Sequence, residues 1–546
     1  MDPNHWQPLG RGFATLTLLL AMGMVTTACD DGGGNDDEEA PQDSGDTTDD
    51  GGTSDDGSSD DGGTSDGGDT AGLDPTGSFN LLLLGMEQEA GAQTEDTDSY
   101  QEALFSASGE RTSWTVTAGS EAGSYSASPD GQTFYGSDSV LTYAGQDGED
   151  PYWERSFEAL SIMGEEGDYT VDFTLAADGQ LDFSGSSSAP MLGTLASDGR
   201  TLAFNTLDKE IDEPHEDSNG NVTWYSDTVY QNLVVGTRQW NPGDSLQATF
   251  NMLGLALVLD NDATDSNGDG GNVTGPGSRA LTEGVAYLDA SSQTLKMNWY
   301  RHRHTLDDDG DAIAAWDEYR IPDYLDAGYR NKSIHMDDKG WIYILEADGP
   351  RDHPFAVVAP DASMFVTQTG KPRENNSRSR HRIRVGLPRG GANGNPTCND
   401  STLDGQYRLA SLAIELAVPS SDYQGYEVGH EIGHQVATIS SGDLTLEGSD
   451  EKYHNASTGF TRGSNAHAYR ETETHEEDPP SGGSATLTME SDCTFTAATD
   501  GNSVISGIAS PDGERVVVTN AETEGTDPAT YSWQQIMIGH RVASTD

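Results

Sequence analysis

Gln231-Asn-Leu-Val-Val-Gly-Thr-Arg238 is a phrase that the chain repeats, and the repetition points to the architecture. Arg382-Ile-Arg-Val-Gly386-Leu and Gln534-Gln-Ile-Met-Ile-Gly539-His-Arg541 repeat its apolar alternation and its glycine. Working backward from each phrase, a turn lies between two apolar runs: MLGTLASDGRTLAFNT (191–206), PFAVVAPDASMFVTQT (354–369) and VISGIASPDGERVVVTN (504–520). Before those stand further hairpin patterns: DYTVDFTLAADGQLDFSG (168–185), NKSIHMDDKGWIYILEA (331–347) and SATLTMESDCTFTAATD (484–500). Each unit opens on an apolar strand, at Ser78-Phe79-Asn-Leu-Leu-Leu-Leu, Ala248-Thr-Phe250-Asn-Met-Leu and Gln406-Tyr407-Arg-Leu-Ala-Ser-Leu. Self-similarity at a fixed period means one architectural unit used repeatedly.

Three units follow, 73–241, 242–400 and 401–546, each with roughly eight or nine short strands. Asp-Gly pairs at Asp130-Gly131, Asp178-Gly179, Asp198-Gly199 and Asp512-Gly513 separate alternating runs. Tight hairpin turns need positive φ at central residues, which Asp-Gly supplies. No stretch keeps a capped 3.6-residue period, so the expected class is all-β, in three tandem antiparallel meanders. Closure of a meander into a barrel, or its folding into a sandwich, removes exposed edges. The alternative is a single β-propeller assembled from all three units.

Composition narrows the function. The 28 Lys and Arg against 93 Asp and Glu give a net charge of -65. A phosphate backbone needs a basic footprint, so nucleic acid is not the expected partner. Residues 30–110 hold no Lys or Arg, and 30–72 are almost wholly Asp, Gly, Ser and Thr. Such a segment buries too little apolar surface to offset chain entropy and reads as a disordered, extended tether.

The N-terminus explains what is tethered. An apolar run, Phe13 to Val25, follows Arg11 and leads through Thr26-Thr27-Ala28 to Cys29, after which the acidic segment begins. The run is too short for a membrane span of ~20 residues. This order resembles a bacterial lipoprotein signal. The resemblance covers residues 1–29 and the style of the tether; Thr26 departs from the aliphatic residue usual there. It implies removal of a signal peptide, 1–28, and acylation of Cys29. Residues 29–72 would then carry the lipid and the tether, with the lipid bilayer as a partner. The location implied is the bacterial envelope, at the outer membrane or cell surface rather than the inner membrane. With Cys29 acylated, Cys398 and Cys493 remain, and in an oxidising envelope they are expected to bond.

Four constellations could carry chemistry. His430-Glu431-Ile432-Gly433-His434 matches H-E-x-x-H, which on a helix places two histidines on zinc and leaves Glu431 to activate water. Against this, Gly425, Gly429 and Gly433 disfavour a helix, and Gly119–Ala127 in unit 1 aligns as a serine-substituted counterpart. The surrounding unit is rich in His454, His467 and His475, with Glu471 and Glu473, a set able to hold zinc or copper. Asp265-Ser-Asn267-Gly-Asp269-Gly opens like a calcium loop, but Pro276 stands where its glutamate belongs; Asp307–Asp311 is a looser version. Arg378, Arg380, Arg382 and Arg384 alternate, as do Arg301 and Arg303, and would form a basic strand face that binds an anion or docks on acidic neighbours. There is no G-x-S-x-G elbow, P-loop or dinucleotide fingerprint.

The leading expectation is therefore a membrane-tethered, non-enzymatic lipoprotein that binds a protein, glycan or small molecule, or serves structurally. No cofactor is required; zinc and calcium are the candidates. The alternative is a zinc metallopeptidase using residues 430–434. A propeller-type binding or lyase scaffold is a third reading.

Overall fold

The computed structural model describes residues 73–93, 103–130, 132–135, 138–144, 152–158, 162–165, 170–183, 191–216, 222–243, 245–260, 278–306, 313–320, 330–347, 349–372, 378–417, 427–456, 471–478, 484–498, 504–524 and 531–542. It is all-β and antiparallel, with two short 3-10 turns, Pro360–Ala362 and Asp400–Leu403, among these residues.

Each repeat closes into an eight-stranded barrel. Barrel 1 runs through Gly77–Gln93, Ala103–Ala118, Ser124–Pro129, Val171–Leu175, Gln180–Phe183, Met191–Leu195, Thr201–Glu216 and Val222–Arg238. Barrel 2 runs through Gln247–Asp260, Ser278–Asp289, Thr294–Leu306, Arg330–Met336, Trp341–Glu346, Gly349–Val358, Phe365–Pro372 and Arg378–Pro388. Barrel 3 runs through Gly405–Ala417, Glu427–Ser440, Asp443–Ala456, Ser484–Met489, Thr494–Ala498, Val504–Ala509, Arg515–Glu524 and Tyr531–Arg541. In each, neighbours pair in a meander and the last strand returns to the first, as in Phe79↔Arg238, Phe250↔Pro388 and Tyr407↔Arg541. Extra strands lie outside the rings, such as Ile313–Arg320 on barrel 2 and Glu471–Asp478 on barrel 3. The single-propeller alternative is thus overturned, because each unit satisfies its own edges by closing on itself.

The registers put Phe79, Phe250 and Tyr407 in equivalent places, so residues of one barrel can be matched to those of the others. Strand alternation then explains the core. Phe79, Leu81 and Leu83 fill barrel 1, whereas Leu82, Leu84 and Met86 point outward. The outward set meets Leu253, Leu255 and Leu257 of barrel 2 and Ala410, Leu412 and Ile414 of barrel 3 in one shared core. A strand buried on both faces reads as a continuous apolar run. The three barrels thus surround a pseudo-threefold core, each with its own interior filled behind it.

Polar contacts repeat around that axis. Asn80 Nδ2 donates to the Lys339 carbonyl (2.7 Å) and Asn251 Nδ2 to the Asp492 carbonyl (2.6 Å), while the equivalent Arg408 pairs with the Asp178 carboxylate. The contacts run barrel 1 to 2, 2 to 3 and 3 to 1, closing a ring. The acceptors lie in equivalent turns, where Gly179, Gly340 and Cys493 have φ of 89°, 86° and 70°. Cys493 therefore occupies a left-handed position that glycine fills in the other two repeats. It is bonded to Cys398, across a separation of 95 residues, as the sequence led us to expect.

Candidate functional sites in the lumens and at the seams

Among the described residues, each lumen passes from an apolar end to a polar one. Barrel 1 is filled at the Phe79 end by Trp114, Phe173, Phe183 and Phe204. Further along the same inward faces stand Glu110, opposite Leu83, and Asn232, whose Nδ2 donates to Thr206 Oγ1 at 2.7 Å. Barrel 3 repeats this. Above Tyr407 and Leu409, Gln535 Nε2 donates to Ser411 Oγ at 3.0 Å. Beyond them Tyr531 lies near Glu415, Glu431 and Glu522; burial, then the charge and hydrogen bond of Glu415, push its phenol well above the ordinary range. Barrel 2 carries Arg384 and Arg382 in the corresponding part of its lumen.

The zinc motif does not form its site. Residues 430–434 lie within the strand Glu427–Ser440, with His430 paired to Tyr453 and His434 to Ser449. At ~3.3 Å per residue, two histidines four apart on a strand are separated by about 13 Å. Ligands of one zinc ion each lie ~2.1 Å from it, so the two histidines cannot share it. His430 instead reaches across to barrel 1, where its Nδ1 meets Gln231 Oε1 at 2.5 Å. Glu431 points the opposite way, into the lumen of barrel 3. The unit 1 counterpart also changes. Gly119–Gly123 form the turn after the second strand, and the registers match 429–437 to 106–114, so His430 corresponds to Ala107 and His434 to Arg111.

His454 pairs in register with Glu473, but the side chains of both, and of Glu471 and His475, lie outside the described residues, as does His467. No group of three or more His, Cys, Asp or Glu able to hold a metal occurs among the described residues. The calcium-loop residues Asp265, Asn267 and Asp269, the segment 307–311 and Cys29 also lie outside them. Of the basic strand, Arg382 and Arg384 face the interior of their own barrel. The side chains of Arg378, Arg380, Arg301 and Arg303 are not among those described.

The seams between barrels hold charged residues that the repeat pattern did not flag. Arg111 crosses from barrel 1 to barrel 2, donating to the Pro354 carbonyl (2.5 Å), the Gln368 carbonyl (2.9 Å) and Gln368 Oε1 (2.6 Å). Burial lowers its guanidinium to about 9. Arg515 is 0% exposed and crosses from barrel 3 to barrel 1, where Nε donates to Thr201 Oγ1 (2.9 Å) and the Asp198 carboxylate accepts from Nη2. Burial raises the Asp198 carboxyl, but Arg515 and the N–H of Arg200 outweigh it and hold it below the usual range. His540 lies 3.0 Å from the same Thr201 hydroxyl; burial, reinforced by the charge of Arg515, lowers it to about 3. Burial alone takes His381 to about 3 and His434 to about 4. A sequence signal for Arg515 existed: the matching positions in the other two repeats, Thr201 and Met364, are uncharged.

No family model matches the chain, and no curated protein does. Among solved structures, a transferrin binding protein B (TbpB) double mutant from Haemophilus parasuis is similar at 8% identity and a TM-score of 0.21, covering 85% of this chain and 76% of that one. OccK7 (OpdD) of Pseudomonas aeruginosa is similar at 9% identity and a TM-score of 0.15, covering 85% and 99%. Likeness at these scores carries no argument about fold or function.

Proposed function

We propose that the protein is a lipid-tethered envelope lipoprotein whose three-barrel body is a rigid, non-catalytic binding platform. The observation that carries this is the shared orientation of the barrels. The chain enters at Leu73, which packs on the apolar floor of barrel 1. The ring contacts at Asn80, Asn251 and Arg408 all lie at that floor end. A tether arriving there from an acylated Cys29 joins the body at its floor end and leaves the opposite ends of the three barrels clear of the attachment point. One or two acyl chains suffice to hold a protein at a membrane. The one motif that suggested hydrolysis, His430 to His434, is used for packing and lumen lining on a strand.

The test is Cys29→Ala, followed by metabolic lipid labelling and membrane fractionation. Loss of label and release of the protein are expected. A variant that still fractionates with membranes refutes the tether.

A further inference from the structure

Two lumen positions of barrel 2 differ in charge from their counterparts in the neighbouring barrels. Arg384 and Arg382 take lumen positions held by Val234 and Asn232 in barrel 1 and by Met537 and Gln535 in barrel 3. Arg384 is only 4% exposed. Its guanidinium carbon lies 5.1 Å from the Trp299 ring centroid, and Nε donates to Thr282 Oγ1 at 3.3 Å. One step nearer the mouth, Arg382 Nη2 donates to Thr369 Oγ1 at 3.0 Å.

The wall between these groups is kept small. Gly254 is the strand partner of both Arg384 and Thr282, and Ala256 of both Arg382 and Ala280. A Cβ on Gly254 would lie 2.5 Å from Arg384 Cγ and 2.9 Å from Thr282 Oγ1, so glycine is what admits the arginine stem. Exposure rises in one direction only. Phe365 is 0% exposed, Thr367 2%, and Thr369 half-buried. Among the described residues the lumen is therefore a well, closed below by packed apolar side chains and increasingly exposed toward Thr369 and Arg382. The alternation continues in sequence with Arg380 and Arg378, and Arg301 is the strand partner of Thr282.

We infer that this well binds a small oxyanion, the phosphate or carboxylate group of a soluble ligand. A guanidinium fork matches two oxygens of either group. The low dielectric of a lumen strengthens that pairing over its value in water. Hydroxyls at Thr282 and Thr369 add donors, and the Trp299 ring beside Arg384 offers the cation a π face. Barrels 1 and 3 carry Glu110 and Glu431 in their lumens and repel the same group, so the middle barrel alone takes it. The inference rests on the binding reading above but not on the tether.

The experiment uses the full-length chain in detergent, titrated calorimetrically with inorganic phosphate, citrate and neutral glucose at constant ionic strength. One saturable site for phosphate or citrate is expected, and whichever binds identifies the group. Glucose should give none. Arg384→Gln should weaken binding at least tenfold, and Glu110→Gln in barrel 1 should leave it unchanged. Should Arg384→Gln fail to fold, Arg382→Gln, at the more exposed position, serves instead. Absence of saturable heat with both anions, or equal binding in a folded arginine variant, overturns the inference. Membrane fractionation of Cys29→Ala reports on the tether independently.

Discussion

Mild acid should loosen the three-barrel ring through its buried histidines. His381 is 0% exposed and His540 1%, and both are held neutral with values of about 3 against 6.5 for the free side chain. A histidine whose folded value is depressed contributes stability that is complete above its unfolded value and is lost as pH falls toward the folded one. Between pH 7.5 and 5.0 the unfolded chain takes up a proton at each site and the folded chain does not. Linkage then removes about 2 kcal/mol per histidine, and this figure is insensitive to the folded value so long as it lies well below 5. The two sites together cost about 4 kcal/mol, a large part of a typical domain stability of ~5–15 kcal/mol. The repeat itself supplies the control. His381 is replaced by Gln231 and Gln534 at equivalent positions, and His540 by Thr237. His381→Gln with His540→Thr should therefore fold while removing that pH dependence. Denaturant unfolding at pH 7.5 and 5.0 in both proteins measures it. Loss of net negative charge on acidification affects both alike, so the difference between them isolates the histidines. If the double variant loses as much stability as the parent over this interval, the reasoning is wrong.

Three further outcomes follow from the seams and turns. Arg515→Ala should cost about 3–5 kcal/mol by breaking a buried pair, whereas Arg515→Met, the residue of barrel 2 at that position, should recover part of the loss by filling the space; thermal melts compare them. In a Cys398→Ala background, Cys493→Gly should be more stable than Cys493→Ala by about 1 kcal/mol, because φ is 70° there, and equal denaturant midpoints would count against it. His430→Ala should cost about 1–3 kcal/mol by leaving Gln231 unsatisfied at the seam. It should leave zinc content, read by atomic absorption, unchanged, and Glu431→Gln should leave any hydrolytic activity where it was. Stoichiometric zinc lost from His430→Ala would restore the metallopeptidase reading.

Strand, turn and repeat were legible in the sequence because each is local. A period of two, an Asp-Gly pair and a repeated phrase can be read within about twenty residues, and Asp178-Gly179, Asp198-Gly199 and Asp512-Gly513 are turns as read. The disulfide was legible too, from the count of cysteines and the compartment that the N-terminus implied. Tertiary structure decided what each face of a strand meets. The run Leu81 to Leu84 is apolar throughout because one face fills a barrel and the other meets strands of the other two barrels. The same separation hid the roles of Arg515 and Arg111, whose partners lie on other barrels. It also decided the fate of His430 and His434. Their spacing is the same on a helix or a strand, but on a helix it gathers two ligands and on a strand it sends them about 13 Å apart. Closure into barrels, which no short window of sequence contains, turned Arg382 and Arg384 into a lumen whose matching positions in the other two barrels hold uncharged residues.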